Sequence, residues 1–232
     1  MFKNLLLVGL LAGVFSGSLL TLLQAVTVIP LIHQAEQYEI QFPVMGSETG
    51  QHGHDAPVKE WGPANGWERL AFTWLANVSI AAGFGLMIAG IMSLHLPQTW
   101  TQAVLFGVAG YYAFFLAPAF LLPPELPGSD SSHLQSRQAI WLCTVVVSIV
   151  SMALVRFTTR PWLRLLGLVS LASPFLLFTR EDVRYSVPVP FELIEQFTRM
   201  TAVTNALLWA TIGLSVRWLF LKVSDQSMAQ SS

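Results

Sequence analysis

The residues of this chain able to hold a metal ion are few and unevenly placed. Gln51-His-Gly-His-Asp55 sets His52 and His54 two apart with a carboxylate beside the second. Imidazole and carboxylate together suit borderline divalent cations such as cobalt, nickel or zinc, and the glycine lets the chain fold both rings onto one ion. Two histidines do not complete a site, so further ligands would have to come from elsewhere; the plainer reading is a solvated polar loop. His33 and Glu36 are three apart and share a face if their segment is helical. Glu125 lies in Leu122-Pro-Pro-Glu-Leu-Pro-Gly128. There Pro123, Pro124 and Pro127 fix the backbone and Gly128 can take positive φ. That turn presents one carboxylate in a preset direction, either to a cation at a pore mouth or to Arg137, which would pin the loop. His133 follows as a further candidate ligand, whereas His95, in the tight turn Leu94-His-Leu-Pro-Gln98, reads as structural or solvated. Glu181-Asp182 with Arg184 reads mainly as a structural charge cluster.

The elements that would position these groups are membrane spans. The chain has 232 residues, 53% of them hydrophobic and 11% charged, against about 25% charged in a soluble domain. Its long apolar runs predict an all-α, polytopic transmembrane helical bundle of about six spans, within one integral-membrane domain over 1–222. The spans fall near 5–29, 70–94, 101–122, 139–155, 165–178 and 201–220. Span 1 would be about 37 Å long, enough to cross with tilt, and Pro30 would close it. It is too long for a cleaved signal sequence, although cleavage near Ser16–Ser18 is the alternative. A polar loop, 33–69, carries the acids and histidines, and Leu31 to Tyr38 could extend span 1 as a short amphipathic turn. A polar tail covers 223–232. Pro118 is expected to kink span 3. Span 5 is short, and five spans result if it does not cross.

Gly9, Gly13 and Gly17 recur every four residues on one face of span 1. That spacing lets another helix backbone approach closely, either within the bundle or on a separate subunit. Arg69, Arg137 and Arg199 each stand just before a span, where interfacial snorkelling is the plain account.

The spans carry no Asp, Glu, Lys or His in their middles, only Ser, Thr, Asn77, Asn205, Gln24 and backbone. A proton relay through the membrane therefore has no candidate, and function is pushed to the span ends. A net charge of −1 and the lack of a basic aromatic patch exclude a nucleic-acid partner. The single cysteine, Cys143, excludes a disulfide framework. No nucleophile elbow, zinc-helix motif or phosphate-binding loop occurs, so the chain is not read as an enzyme. Lys and Arg divide evenly between the two faces. The cluster Arg156, Arg160 and Arg164 in a short loop favours that loop, and with it both termini, as cytoplasmic.

Together these features resemble the CbtA family, proposed cobalt transporter subunits of bacteria. The resemblance rests on the opening Met-Phe-Lys-Asn-Leu-Leu-Leu-Val-Gly-Leu-Leu-Ala-Gly, the acid- and histidine-bearing loop, Trp67-Glu68-Arg69 leading into span 2, and Leu122–Gly128 with Arg137 downstream. It implies a multi-pass permease subunit of the bacterial inner membrane that takes up cobalt(II) for cobalamin synthesis, with nickel also acceptable to such ligands. No permanently bound cofactor is implied. It further implies a small single-span partner with a histidine-rich end, CbtB, for which the glycine seam of span 1 offers a docking line. His33, Glu36, His52, His54, Glu125 and His133 are then the candidate metal ligands. A membrane scaffold that conducts no ion is the alternative.

Overall fold

A computed structural model describes residues 2–42, 63–94, 96–130, 134–176 and 183–229, without the side chains of Asp130 and 224–229. His52, His54, His95 and His133 lie outside the described residues, as do Glu181 and Asp182. The fold is a helical bundle of the all-α class with one short two-stranded ladder. Five of its helical segments, Phe2–Thr27, Trp67–Leu94, Trp100–Leu121, Leu134–Phe157 and Phe191–Val223, are long and apolar enough to cross a membrane.

Helix α1 (Phe2–Thr27) runs almost directly into α2 (Ile29–Gln41). The break falls at Val28 because Pro30, in the first turn of α2, has no N–H to continue the α1 ladder. Pro30 therefore opens a second helix, and α1 ends at Thr27, within two residues of the expected end of span 1 near Ile29. Helix α3 (Trp67–Leu94) returns antiparallel to α1, and the glycine seam lies in their interface. A Cβ on Gly13 would stand 2.3 Å from the Ala82 Cα, and one on Gly9 or Gly17 would stand 2.7 Å from the Cα of Leu86 or Val78. Since α3 of the same chain fills the seam, a partner helix cannot dock along it.

Span 3 is three pieces: α4 (Trp100–Tyr111), a π-helical turn (Tyr112–Leu116) and α5 (Ala117–Leu121). Pro118 cannot donate to the carbonyl four residues back, and the wider turn precedes it, closed by the Ala117 N–H on the Tyr112 carbonyl. Helix α6 (Leu134–Phe157) starts five residues before the expected span. It pairs with α7 (Pro161–Leu176), where a Cβ on Gly167 would meet the Ser151 carbonyl oxygen at 2.9 Å. At sixteen residues α7 is about 24 Å long, short of the roughly 30 Å hydrocarbon layer. Connectivity still returns the chain to the face it left. Strand β2 (Arg184–Tyr185), after α7, pairs antiparallel with β1 (Ser129–Asp130), before α6. The last helix, α8 (Phe191–Ala229), packs on α1, α3 and α4. Counting α7 with the five long apolar helices, the described helices run between the two faces six times, with Phe2 and the end of α8 on one face.

The core sits among α1, α3, α4 and α8, around Val8, Ala12, Ile88, Met92, Trp209 and Ile212. A second apolar cluster lies at the opposite face, hereafter the loop face. There Leu31 and Ala35 of α2 meet Leu126 and the α8 residues Leu193 and Phe197. On the other face Arg217 donates to the carbonyls of Pro97 and Gln98 and lies over the Trp100 ring at 4.9 Å, pinning the α3–α4 turn.

Candidate functional site

Helix α2 rises beyond the end of α1 with Leu31 and Ala35 buried, which turns His33 and Glu36 toward the start of α3. The helical spacing expected for this pair is realised: His33 Nδ1 is 3.2 Å from Glu36 Oε2. Arg69, from the first turn of α3, grips the same carboxylate with both ends of its guanidinium. Nη2 donates to Oε1 at 2.5 Å and Nη1 to Oε2 at 3.0 Å, and Nη1 also reaches Asn65 Oδ1 at 3.0 Å. The Arg69 hydrogen bonds, supported by its charge and by His33, hold Glu36 below the ordinary carboxylate range despite partial burial. Glu36 is thus an ionised carboxylate beside an imidazole. His33 and Arg69 line a cleft of about 620 Å³ between α1–α2 and α3, with Gln34, Gln37 and Gly66.

Below this cleft the α1–α3 interface is polar. Asn77 Nδ2 donates to Gln24 Oε1 at 2.7 Å and to Thr21 Oγ1 at 3.0 Å, and the Trp74 indole donates to Ser18 Oγ at 2.9 Å. Intramembrane amides and hydroxyls thus satisfy one another in a ladder that begins under His33 and Arg69.

The proline turn forms a second site. Leu122 ends α5 with its N–H on the Pro118 carbonyl; Pro123 is buried, and Pro124 and Pro127 are half-buried. Gly128 has φ +83°, and a Cβ there would meet Val187 Cγ2 at 2.5 Å, so this position needs glycine twice over. The Gly128 carbonyl accepts from both the Ser186 N–H and hydroxyl, at 2.9 and 3.0 Å. Leu126 is buried, and its N–H points to the Tyr185 hydroxyl at 3.5 Å. Burial, with the nearby Glu125 charge, raises the Tyr185 pKa although the Leu126 N–H opposes this, so the phenol stays protonated. Glu125 itself is bound by Arg137 Nη1 through Oε1, and Ser129 Oγ lies 3.2 Å from Oε2. Of the two outcomes left open for this carboxylate, the structure shows the ion pair.

Glu36 and Glu125 both stand on the loop face but at separate sites. Among the described residues no three His, Cys, Asp or Glu side chains cluster to hold a metal. Each arginine that opens a span is paired with an acid: Arg69 with Glu36, Arg137 with Glu125, and Arg199 with Glu195 at 2.5 Å. The grip of Arg69 was not foreseen. Its partner lies 33 residues away, and no local pattern links the two; the one signal was an arginine placed just before a span.

Residues 2–221 match the model of a family described as "Probable cobalt transporter subunit (CbtA)". No curated protein and no solved structure matches. The match covers nearly the whole chain, and with it the helices, the α2 cleft and the proline turn described above: the chain belongs to the CbtA family.

Proposed function

We propose that this chain is a permease subunit that admits a divalent metal ion, cobalt(II) destined for cobalamin synthesis, from its loop face. The observation that carries this reading is the ionised Glu36 held beside His33 on the loop face, next to a cleft that His33 and Arg69 line. A divalent cation competes with Arg69 for the Glu36 carboxylate and gains the His33 imidazole as a second ligand. Two ligands hold an ion weakly, as a site that must release its cargo requires. In this reading His52 and His54 add donors from the same loop. The loop face is outside and both ends of the chain are cytoplasmic, in a bacterial inner membrane. The word "subunit" in the family description fits a partner, and a single-span, histidine-rich chain is the form proposed, docked away from the filled glycine seam. In cobalt-limited cells, Glu36→Gln and His33→Ala should each lower cobalt accumulation several-fold at unchanged protein level; unchanged accumulation removes the α2 cleft from the mechanism.

One observation favours a second reading. Glu36 and Glu125 are each engaged by an arginine, as in a surface built to hold its shape. A scaffold that binds a partner without conducting an ion would form its complex in liposomes and show no metal flux.

A further inference from the structure

A second cleft, also about 620 Å³, opens between α5 and α6. We propose that this cleft is the vestibule through which the divalent cation enters the bundle, and that Phe114 is the plug that closes its inner end. The proposal rests on the transport reading above and adds a path and a barrier to it.

Three features on the cleft's own walls argue for it. At the rim, Glu125 belongs to the turn after α5 and Arg137 to α6, so their ion pair ties one wall to the other across the mouth. A cation that takes Glu125 from Arg137 therefore both binds and removes that tie between the walls. In the wall, the Thr201 hydroxyl oxygen is buried with no partner among the described residues. A buried polar atom of this kind is ordinarily satisfied by water. At the floor stand aromatic rings from different elements. Phe114 stacks on Trp209 of α8 at 5.4 Å and 22°, and lies 5.1 Å from Phe84 of α3 and 6.2 Å from Trp141 of α6. Trp209 is 1% exposed, and its ring occupies the space that a Cβ on Gly110 would need, 2.1 Å away. Below Phe114 the packing is closed, and an apolar constriction of this sort stops ions by excluding water.

The backbone around the plug is built to yield. Phe114 sits in the π-helical turn, where the ladder is widened by one residue. Opposite it, Pro174 lies inside α7 and removes one rung of its ladder. The Ser170 carbonyl, deprived of its usual donor, accepts from Ser173 Oγ at 2.7 Å, and the neighbouring Leu171 carbonyl accepts from the Tyr112 hydroxyl. The π-turn and this weakened turn of α7 are thus joined by one hydrogen bond beside the cleft. The α6–α7 hairpin meets the rest of the bundle chiefly there, through α5 and the π-turn.

The test is thiol accessibility, which needs no transport. Thr201→Cys is placed in a Cys143→Ser background, in the full chain, in membrane vesicles of both orientations. A charged, membrane-impermeant thiol reagent should label it from the loop face at a rate on the order of tenfold above that from the other face. Adding Phe114→Ala, or Phe114→Leu if alanine lowers the protein level, should collapse that difference. No labelling from either face, as in a lipid-filled cleft, or equal labelling with Phe114 intact, overturns the proposal. Failed labelling with cobalt uptake intact removes the vestibule and leaves the transport reading. Asymmetric labelling without any cobalt uptake overturns the transport reading and with it the cation assignment.

Discussion

Glu36 is the residue on which the chemistry of the loop face turns. Arg69 holds it ionised, so its folded pKa lies below the unfolded value near 4.5. The stabilisation from the pair is fully present above that unfolded value and is lost as pH falls through the lowered folded one. With both partners partly exposed, the pair contributes at most about 1 kcal/mol. Acidification through that window should therefore loosen α2, seen as faster hydrogen exchange over Ile29–Gln41, and Glu36→Gln should already show the loosened pattern at neutral pH. Exchange in α2 that ignores both changes would mean that the pair does not hold the helix. Glu125→Gln keeps the shape of the proline turn and removes its charge. The ion pair with Arg137 then weakens, and cobalt uptake should fall several-fold while the protein level holds. Uptake and level both untouched would make the turn a connector only. The helical pairing of His33 with Glu36 could be read from their spacing, whereas the answer for Glu125 could not. The sequence offered Arg137 and a cation equally, and only the meeting of the turn with α6 decides for Arg137.

At the scale of elements, the tightest constraint is the α1–α3 seam. Gly13 has the Ala82 backbone where a side chain would go, and Gly13→Val forces the helices apart. Overpacking of this kind costs about 1–3 kcal/mol. A lowered thermal midpoint in detergent is expected, together with lost cobalt uptake, because Thr21, Gln24 and Asn77 bridge the same interface. Valine at the exposed Gly83, which has nothing within 4 Å, should leave the midpoint unchanged. A Gly13→Val protein as stable as the parent would contradict the seam. The long spans were legible because an apolar run of that length has few other fates. Helix α2 was visible only as a possible turn. Its buried side is just Leu31 and Ala35, and these pack on Leu126, Leu193 and Phe197 from distant parts of the chain. The π-turn was legible only as a kink expected from Pro118, since a proline reports a broken ladder and not how the backbone closes around it.

For the whole molecule, the described helices leave one face carrying α2, the proline turn, the β1–β2 ladder and the start of α8. That concentration followed in outline from the sequence, where the span middles lack ionisable groups and the candidates gather at span ends. The division of those candidates between two sites did not follow, because it depends on which hairpins pack together: α1 with α3, and α6 with α7. The central claim is that this chain conducts a metal ion rather than merely organising a partner. The most direct measurement is cobalt(II) flux into liposomes holding the purified chain, with and without a single-span histidine-rich partner. The account predicts flux that depends on this chain and falls several-fold in Glu36→Gln. A stable complex with the partner, with no flux in any combination, would contradict it.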